Sequence, residues 1–181
     1  MPVFPYKGVW PTIADDVFLA PGAMIIGDVT IGEGASIWYN AVVRGDSAPI
    51  VIGRGTNVQD NCTLHVDADA PLTIGEECTI GHNAVVHGAS LGNQVMIGIH
   101  AIVLSHAEIG SQTIVGAAAL LGEHKRLSEG ILAVGVPAKE VRALREEEIV
   151  HLKESAQGYY ERAHEHRRAH LLARQEREMP E

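Results

Sequence analysis

An apolar residue recurs every six positions along most of this chain: Ile13, Leu19, Ile25, Ile31, Ile37, Val43, then Ile52, Val58, Leu64, then Ile74, Ile80, Val86. The series runs again from Leu91 through Ile97, Val103, Ile109, Val115 and Leu121 to Leu127. Gly follows many of these positions, among them Gly32, Gly53, Gly81, Gly98 and Gly116. A short fixed period marks a repeat architecture, and a period of six marks a parallel β-helix. Few sequence patterns constrain a fold more, because the count fixes where each side chain points.

The fold class read from this pattern is an all-β solenoid. Three hexads close one triangular coil, so the nineteen hexads give about six coils, stacked at the roughly 4.8 Å spacing of strands. The marked Ile, Val and Leu face inward. Small residues (Ala35, Ala84, Ala101, Ala117) are expected at the tight corners. Asn57, Asn83 and Asn93 are expected at left-handed backbone positions in the turns, which cost most other residues more. The pattern does not carry the winding hand; the general rule for parallel crossovers gives right-handed.

Composition fits a narrow prism: 46% of residues are hydrophobic, yet only 4% are aromatic. Residues 1–138 carry five Lys and Arg against thirteen Asp and Glu; residues 139–181 carry nine against ten. An acidic solenoid argues against nucleic acid or an anionic membrane as partner. No apolar run approaches the roughly 20 residues of a membrane span, and Met1–Lys7 has no signal-peptide pattern. A cytoplasmic protein is the expectation. Cys62 and Cys78 fall at the small inward place of hexads on different faces, which predicts two buried thiols rather than a disulfide.

The tail changes period. Ile149, Leu152, Ala156, Tyr159, Ala163 and His166 are spaced by alternating steps of three and four, the seam of an amphipathic helix. The expected organisation is a β-helix over 1–138 and a C-terminal helix over 139–181. That helix would pack on the solenoid or on a neighbouring subunit. Its His151, His164, His166 and His170 are expected to be solvated or to pack in the helix.

The hexad count is lengthened twice. Val43 to Ile52 is nine residues and Leu64 to Ile74 is ten. Around these breaks stand Arg44, Asp46, Gln59, Asp60, His65, His82 and His87. Arg44, His65 and His87 each directly follow the marked residue of the sixth, ninth and twelfth hexads, so they stack on one face of successive coils. The Cα atoms of His65 and His87 would be about 5 Å apart, which suits two nitrogens on one Zn²⁺. His82 lies on another face, five extended residues before His87, or roughly 16 Å at about 3.3 Å per residue. Either His82 plays no part, or it meets the other two across an interface with another copy of the chain. Asp60 holds the place of His82 one coil earlier. His100, His106 and His124 are read as surface or interface residues.

Here the sequence resembles the γ-class carbonic anhydrase family. The matching stretches are Val43-Arg44-Gly45-Asp46, Asn57-Val58-Gln59-Asp60-Asn61-Cys62, Leu64-His65 and Ile80-Gly81-His82-Asn83-Ala84-Val85-Val86-His87-Gly88, with the closing Val134-Gly135-Val136-Pro137-Ala138-Lys139. The resemblance implies a left-handed parallel β-helix with a C-terminal α-helix, assembled as a homotrimer. It implies a metal site at each interface, with His65 and His87 from one subunit and His82 from its neighbour. Zn²⁺ is the implied cofactor; Fe²⁺ and Co²⁺ suit the same ligands. The implied activity is hydration of CO₂ to bicarbonate by hydroxide formed on the metal at neutral pH. Gln59 would orient the hydroxide or substrate, Arg44 and Asp60 would link subunits, and Asp46 with Arg44 would support the site.

The chain departs from the best-known members, which carry a long acidic loop after the first His and a Glu that shuttles protons. Here the loop is only Val66-Asp67-Ala68-Asp69-Ala70-Pro71, and Ser47 stands where those members have Glu. Asp67, Asp69 and Tyr159 are the groups left to carry the proton, and turnover is expected to be inefficient. Two other readings use the same fold. A CoA-dependent acyltransferase would need a general-base His, with His106 or His124 available, but gives no reason for His65, His82 and His87 in register. A non-catalytic trimeric binding or assembly protein would keep the ligands and tolerate loss of proton-transfer groups.

Overall fold

The computed structural model describes residues 3–178. The chain winds as a left-handed parallel β-helix of about seven turns and ends in a helix. That is one turn more than the hexads alone mark. Val3–Phe4, pairing with Ile25 and Ile26, adds a rung before the first hexad, and Ile131–Val134 adds one after the last.

The prism has three faces. The first carries Thr63–His65, Val85–His87, Ile102–Val103 and Leu120–Leu121; the second carries Leu72–Ile74, Ser90–Leu91, Glu108–Ile109 and Arg126–Leu127. The longer strands Met24–Ile31 and Val42–Ile52 bend around the corner between these faces, so the two are hydrogen-bonded as one sheet. The third face runs from Phe18–Leu19 through Ser36–Ile37, Asn57–Val58, Thr79–Ile80, Met96–Ile97 and Ile114–Val115 to Ile131–Val134.

Register explains the core. Ile37, Val58, Ile80, Ile97 and Val115 pair rung to rung and are fully buried, as are Val43, Leu64, Val86 and Val103 on the first face. Each such side chain contributes about 1.5–3 kcal/mol by leaving water. Cys62 and Cys78 are buried free thiols, and burial pushes them up to about 12 and about 11.

Both long spacings fall at one corner, between the first and second faces. So does the short one, five residues from Val86 to Leu91. The other two corners keep the count of six from Ile25 onward. The solenoid therefore absorbs every irregularity on a single edge, and the rungs above it return to register.

The turns correct several expectations. Asn83 is left-handed at φ 59°, but Asn57 lies in a strand, where its amide donates to the Cys78 carbonyl and to Thr79 Oγ1. Asn93 yields the left-handed place to Gln94 and accepts a hydrogen bond from the Glu76 N–H. His100, His106 and His124 are also left-handed: stacking of one turn on the next imposes the conformation on residues that would not choose it. The small inward residue of the late coil is Ala119, 1% exposed; Ala117 lies exposed in the turn before it.

The sequence period places helix from residue 139, but Lys139–Ala143 first forms a strand antiparallel to Ile131–Val134. The helix α1 spans Glu146–Glu178. Glu148 reaches back to accept the Arg145 N–H, one half of a capping box, and bonds the Arg142 and Arg145 guanidinium groups. α1 packs on the third face of its own chain. Leu152, Ala156 and Ala163 are buried, and Trp38 meets Tyr159 edge-on at 5.3 Å.

Candidate metal centre

The first face and its irregular corner build one half of the site. His65 and His87 are register partners on adjacent rungs, with Arg44 one rung further along the same column. His65 Nδ1 and His87 Nε2 face each other at 3.0 Å. The outer nitrogens are engaged: His65 Nε2 lies 2.9 Å from Asp46 Oδ1, and His87 Nδ1 lies 2.9 Å from Ser105 Oγ. Ser105 donates its own proton to Asp67 Oδ2 at 2.9 Å, so its oxygen accepts from the imidazole.

These partners set the tautomers. A carboxylate accepts only, so Asp46 requires N–H at His65 Nε2; Ser105, its proton committed to Asp67, requires N–H at His87 Nδ1. Two lone pairs are thereby left aimed at each other. A cation between them resolves the conflict. Ligand nitrogens on a tetrahedral zinc with bonds of 2.0–2.1 Å stand about 3.3 Å apart, close to the spacing here. The residues present fit a metal.

Arg44 forms an ion pair with Asp46. Burial raises the Asp46 pKa, but hydrogen bonds from His65 and Arg44 outweigh it and leave the carboxyl below its ordinary value. Asp67 is half exposed, so the His87–Ser105–Asp67 chain runs from the site to solvent. Asp69 lies outside it, 3.6 Å from His106 Nε2.

The corner between the third and first faces builds the other half. His82 Nδ1 lies 2.8 Å from Asp60 Oδ2, which again leaves Nε2 with a free lone pair. The Gln59 amide oxygen accepts the His82 backbone N–H at 3.2 Å, and its Nε2 donates to Asn57. Tyr159 reaches down from α1, its hydroxyl 3.5 Å from His82 Nε2. Burial holds the Tyr159 phenol above its ordinary pKa; Arg162, over its ring, opposes this.

The chain thus gathers Arg44, Asp46, His65 and His87 in one group and Gln59, Asp60, His82 and Tyr159 in another. Among the described residues, no three His, Cys, Asp or Glu side chains of the single chain converge on one metal position. Within the chain Arg44 pairs with Asp46, and Asp60 pairs with His82. Ser105 is the residue that sequence reasoning missed. Its one available signal was its place directly after Leu104, which stands one coil, seventeen residues, after His87.

Comparison with known proteins bears on this arrangement. Residues 11–45 match the family model of the bacterial transferase hexapeptide of six repeats. A carbonic anhydrase from Geobacillus kaustophilus is 41% identical over 88% of this chain and 88% of its own length. The gamma carbonic anhydrase 2 of Arabidopsis thaliana mitochondria is 40% identical over 86% of this chain, which spans 58% of that longer protein. Among solved structures, a hexapeptide transferase family protein from Anaplasma phagocytophilum is 41% identical and superimposes with a TM-score of 0.87, covering 90% of this chain and 96% of that one. With relatives this similar along nearly its whole length, and with the paired imidazoles of the first face, the chain belongs to the γ-class carbonic anhydrase family of hexapeptide-repeat proteins.

Proposed function

We propose that this protein is a metal-dependent carbonic anhydrase, a cytoplasmic homotrimer that hydrates CO₂ to bicarbonate at its three subunit interfaces. His65 and His87 of one subunit and His82 of its neighbour would hold Zn²⁺. A metal held there would supply hydroxide near neutral pH by lowering the pKa of a bound water to about 7. The carrying observation is the pair of imidazole nitrogens 3.0 Å apart, each with its outer N–H engaged.

Asp46, Ser105 and Asp60 hold the outer N–H of His65, His87 and His82, fixing ring orientation and tautomer. Arg44 offsets the charge of Asp46. Gln59 fixes the turn that carries His82 and would orient hydroxide or substrate. Asp67, in contact with solvent and with Ser105, is the first candidate to pass the released proton outward; Asp69, beside His106, and Tyr159, beside His82, are the other two. Nothing in this arrangement matches the shuttle Glu of faster relatives, so turnover is slow to moderate. Free buried thiols suit a reducing compartment, and no helix among the described residues is long and apolar enough to cross a membrane.

The test is stopped-flow CO₂ hydration by protein purified without oxygen or chelator, with metal content measured on the same sample. One metal per chain is expected at this centre, counted as the metal that His87→Ala removes. Turnover should rise with the concentration of an imidazole-type buffer at fixed pH and ionic strength, because small bases carry the proton that the chain exports poorly. A fully metallated trimer with no activity above buffer background would overturn the enzyme reading in favour of a metal-bound assembly protein.

A further inference from the structure

The contact between α1 and the third face contains a second group of ligand-type side chains that the proposed reaction does not use. His166 and His170 are one helical turn apart and so present both imidazoles on one side of α1. Tyr39, in the turn after Ser36–Ile37, brings its phenol oxygen between them, 2.7 Å from His166 Nδ1 and 3.1 Å from His170 Nε2. The hydroxyl has one proton, so it can donate to only one of these nitrogens.

The surroundings hold this geometry and favour a cation. Phe18 lies 6.2 and 6.0 Å from the two imidazoles, and Trp38 stands edge-on to His166 at 5.1 Å. The nearby Arg167 is occupied by the backbone carbonyls of Asp16 and Val17. Asp60 accepts the backbone N–H of Tyr39 at 3.1 Å and places a negative charge beneath the cluster. All three side chains are only half buried, so water can complete a coordination shell.

We propose that Tyr39, His166 and His170 form a second metal site, for a divalent first-row cation with affinity for imidazole, such as Zn²⁺ or Cu²⁺. With bonds of 2.0–2.1 Å, tetrahedral ligands stand about 3.3 Å apart. A cation would take the place of the two hydrogen bonds, with the phenol oxygen and the two imidazoles, whose centroids are 6.1 Å apart, adjusting around it. Unlike the interface centre, this site takes every protein ligand from one chain. It ties the end of the chain to an early coil, across 127 residues from Tyr39 to His166.

The inference does not rest on the carbonic anhydrase reading, and its test is kept apart from it. The chain has two Trp residues, Trp10 and Trp38. A Trp10→Phe, His65→Ala protein leaves Trp38 as the reporter and disables the first centre. Titration with Cu²⁺ alone should quench Trp38 with a saturable stoichiometry of one per chain, and excess Zn²⁺ should compete. His170→Gln should weaken both effects at least tenfold while far-ultraviolet circular dichroism stays unchanged. Tyr39→Phe should weaken them less. His166 packs on Trp38, so His170 carries the decisive substitution. If Trp38 is not quenched while helicity is native, or if His170→Gln titrates like its parent, the site does not exist.

Discussion

The two halves of the proposed metal centre share a design and differ in what they can do alone. On the first face, His65 and His87 sit on adjacent rungs, and their outer nitrogens are engaged by Asp46 and by Ser105 with Asp67. At the neighbouring corner, His82 has a similar backing in Asp60, and its inner nitrogen meets the Tyr159 hydroxyl at 3.5 Å but no paired imidazole among the described residues. The solenoid accounts for the difference. Stacking brings together residues of one column and holds apart residues of different columns, however near in sequence. His82 is five positions from His87 and belongs to another column. A third imidazole for the first pair therefore has to come from outside the coil, and in the proposed trimer it is the His82 of a second copy.

The sharpest way to break this comparison is to separate the halves. His65→Ala and His82→Ala proteins, each also carrying His170→Gln to remove the second site, should lose essentially all bound metal as homotrimers. Refolded together, mixed trimers should recover metal, because at least one interface pairs an intact His65 and His87 with an intact His82. Mixed trimers that form and hold no metal would end the shared-site proposal.

A second large effect is expected at Arg44. Arg44→Ala leaves Asp46 beside His65 without its cation, and an uncompensated charge at a closing interface costs up to several kcal/mol. Sedimentation should show the trimer dissociating at protein concentrations at least tenfold higher than for the parent. An unchanged, equally stable trimer would assign Arg44 to its own chain alone.

Asp46→Asn, Asp60→Asn and Ser105→Ala each disturb one outer hydrogen bond and should weaken metal binding about 10–100-fold. Competition with a chromogenic chelator reads this directly. Equal losses from Asp46→Asn and Asp60→Asn would mean that the two halves bear equally on the metal. A loss from Asp46→Asn alone would mean that His82 is no ligand. The smallest effect is assigned to Tyr159→Phe. A 3.5 Å contact is at the outer limit of hydrogen bonding, and hydration rates should fall no more than about threefold. A fall of a hundredfold, recovered by added buffer, would place Tyr159 in the proton path.

The core and the His65–His87 pair were legible in the sequence for one reason: both depend only on counting. Ile37, Val58 and Ile80 are buried because six-residue steps return each to the inside, and the same arithmetic stacks Arg44, His65 and His87. Counting failed where a neighbour decides the outcome. Gln94, His106 and His124 adopt left-handed turns that stacking dictates, while Asn57 and Asn93, better suited by type, do not. Every residue of Lys139–Ala143 is exposed, so no alternation announced that strand. Ser105 is an ordinary hydroxyl until His87 and Asp67 are seen on either side of it. His166 and His170 read as helix-packing residues; that they meet Tyr39 depends on how α1 lies, which no period encodes.

The confinement of every spacing irregularity to one edge gives the chain a seam that can be cut and lengthened. A residue added within a rung would turn each later inward side chain toward solvent. Residues added between the first and second faces leave the rest of the prism in phase, as the strands beyond Pro71 demonstrate. His65 and His87 stand beside that edge. The loop bordering the reacting groups can therefore be long or short, acidic or neutral, without disturbing the scaffold. The same solenoid can then carry proton-transfer machinery of very different quality, and rebuilding the Asp67–Ala70 turn is the natural place to try to improve it.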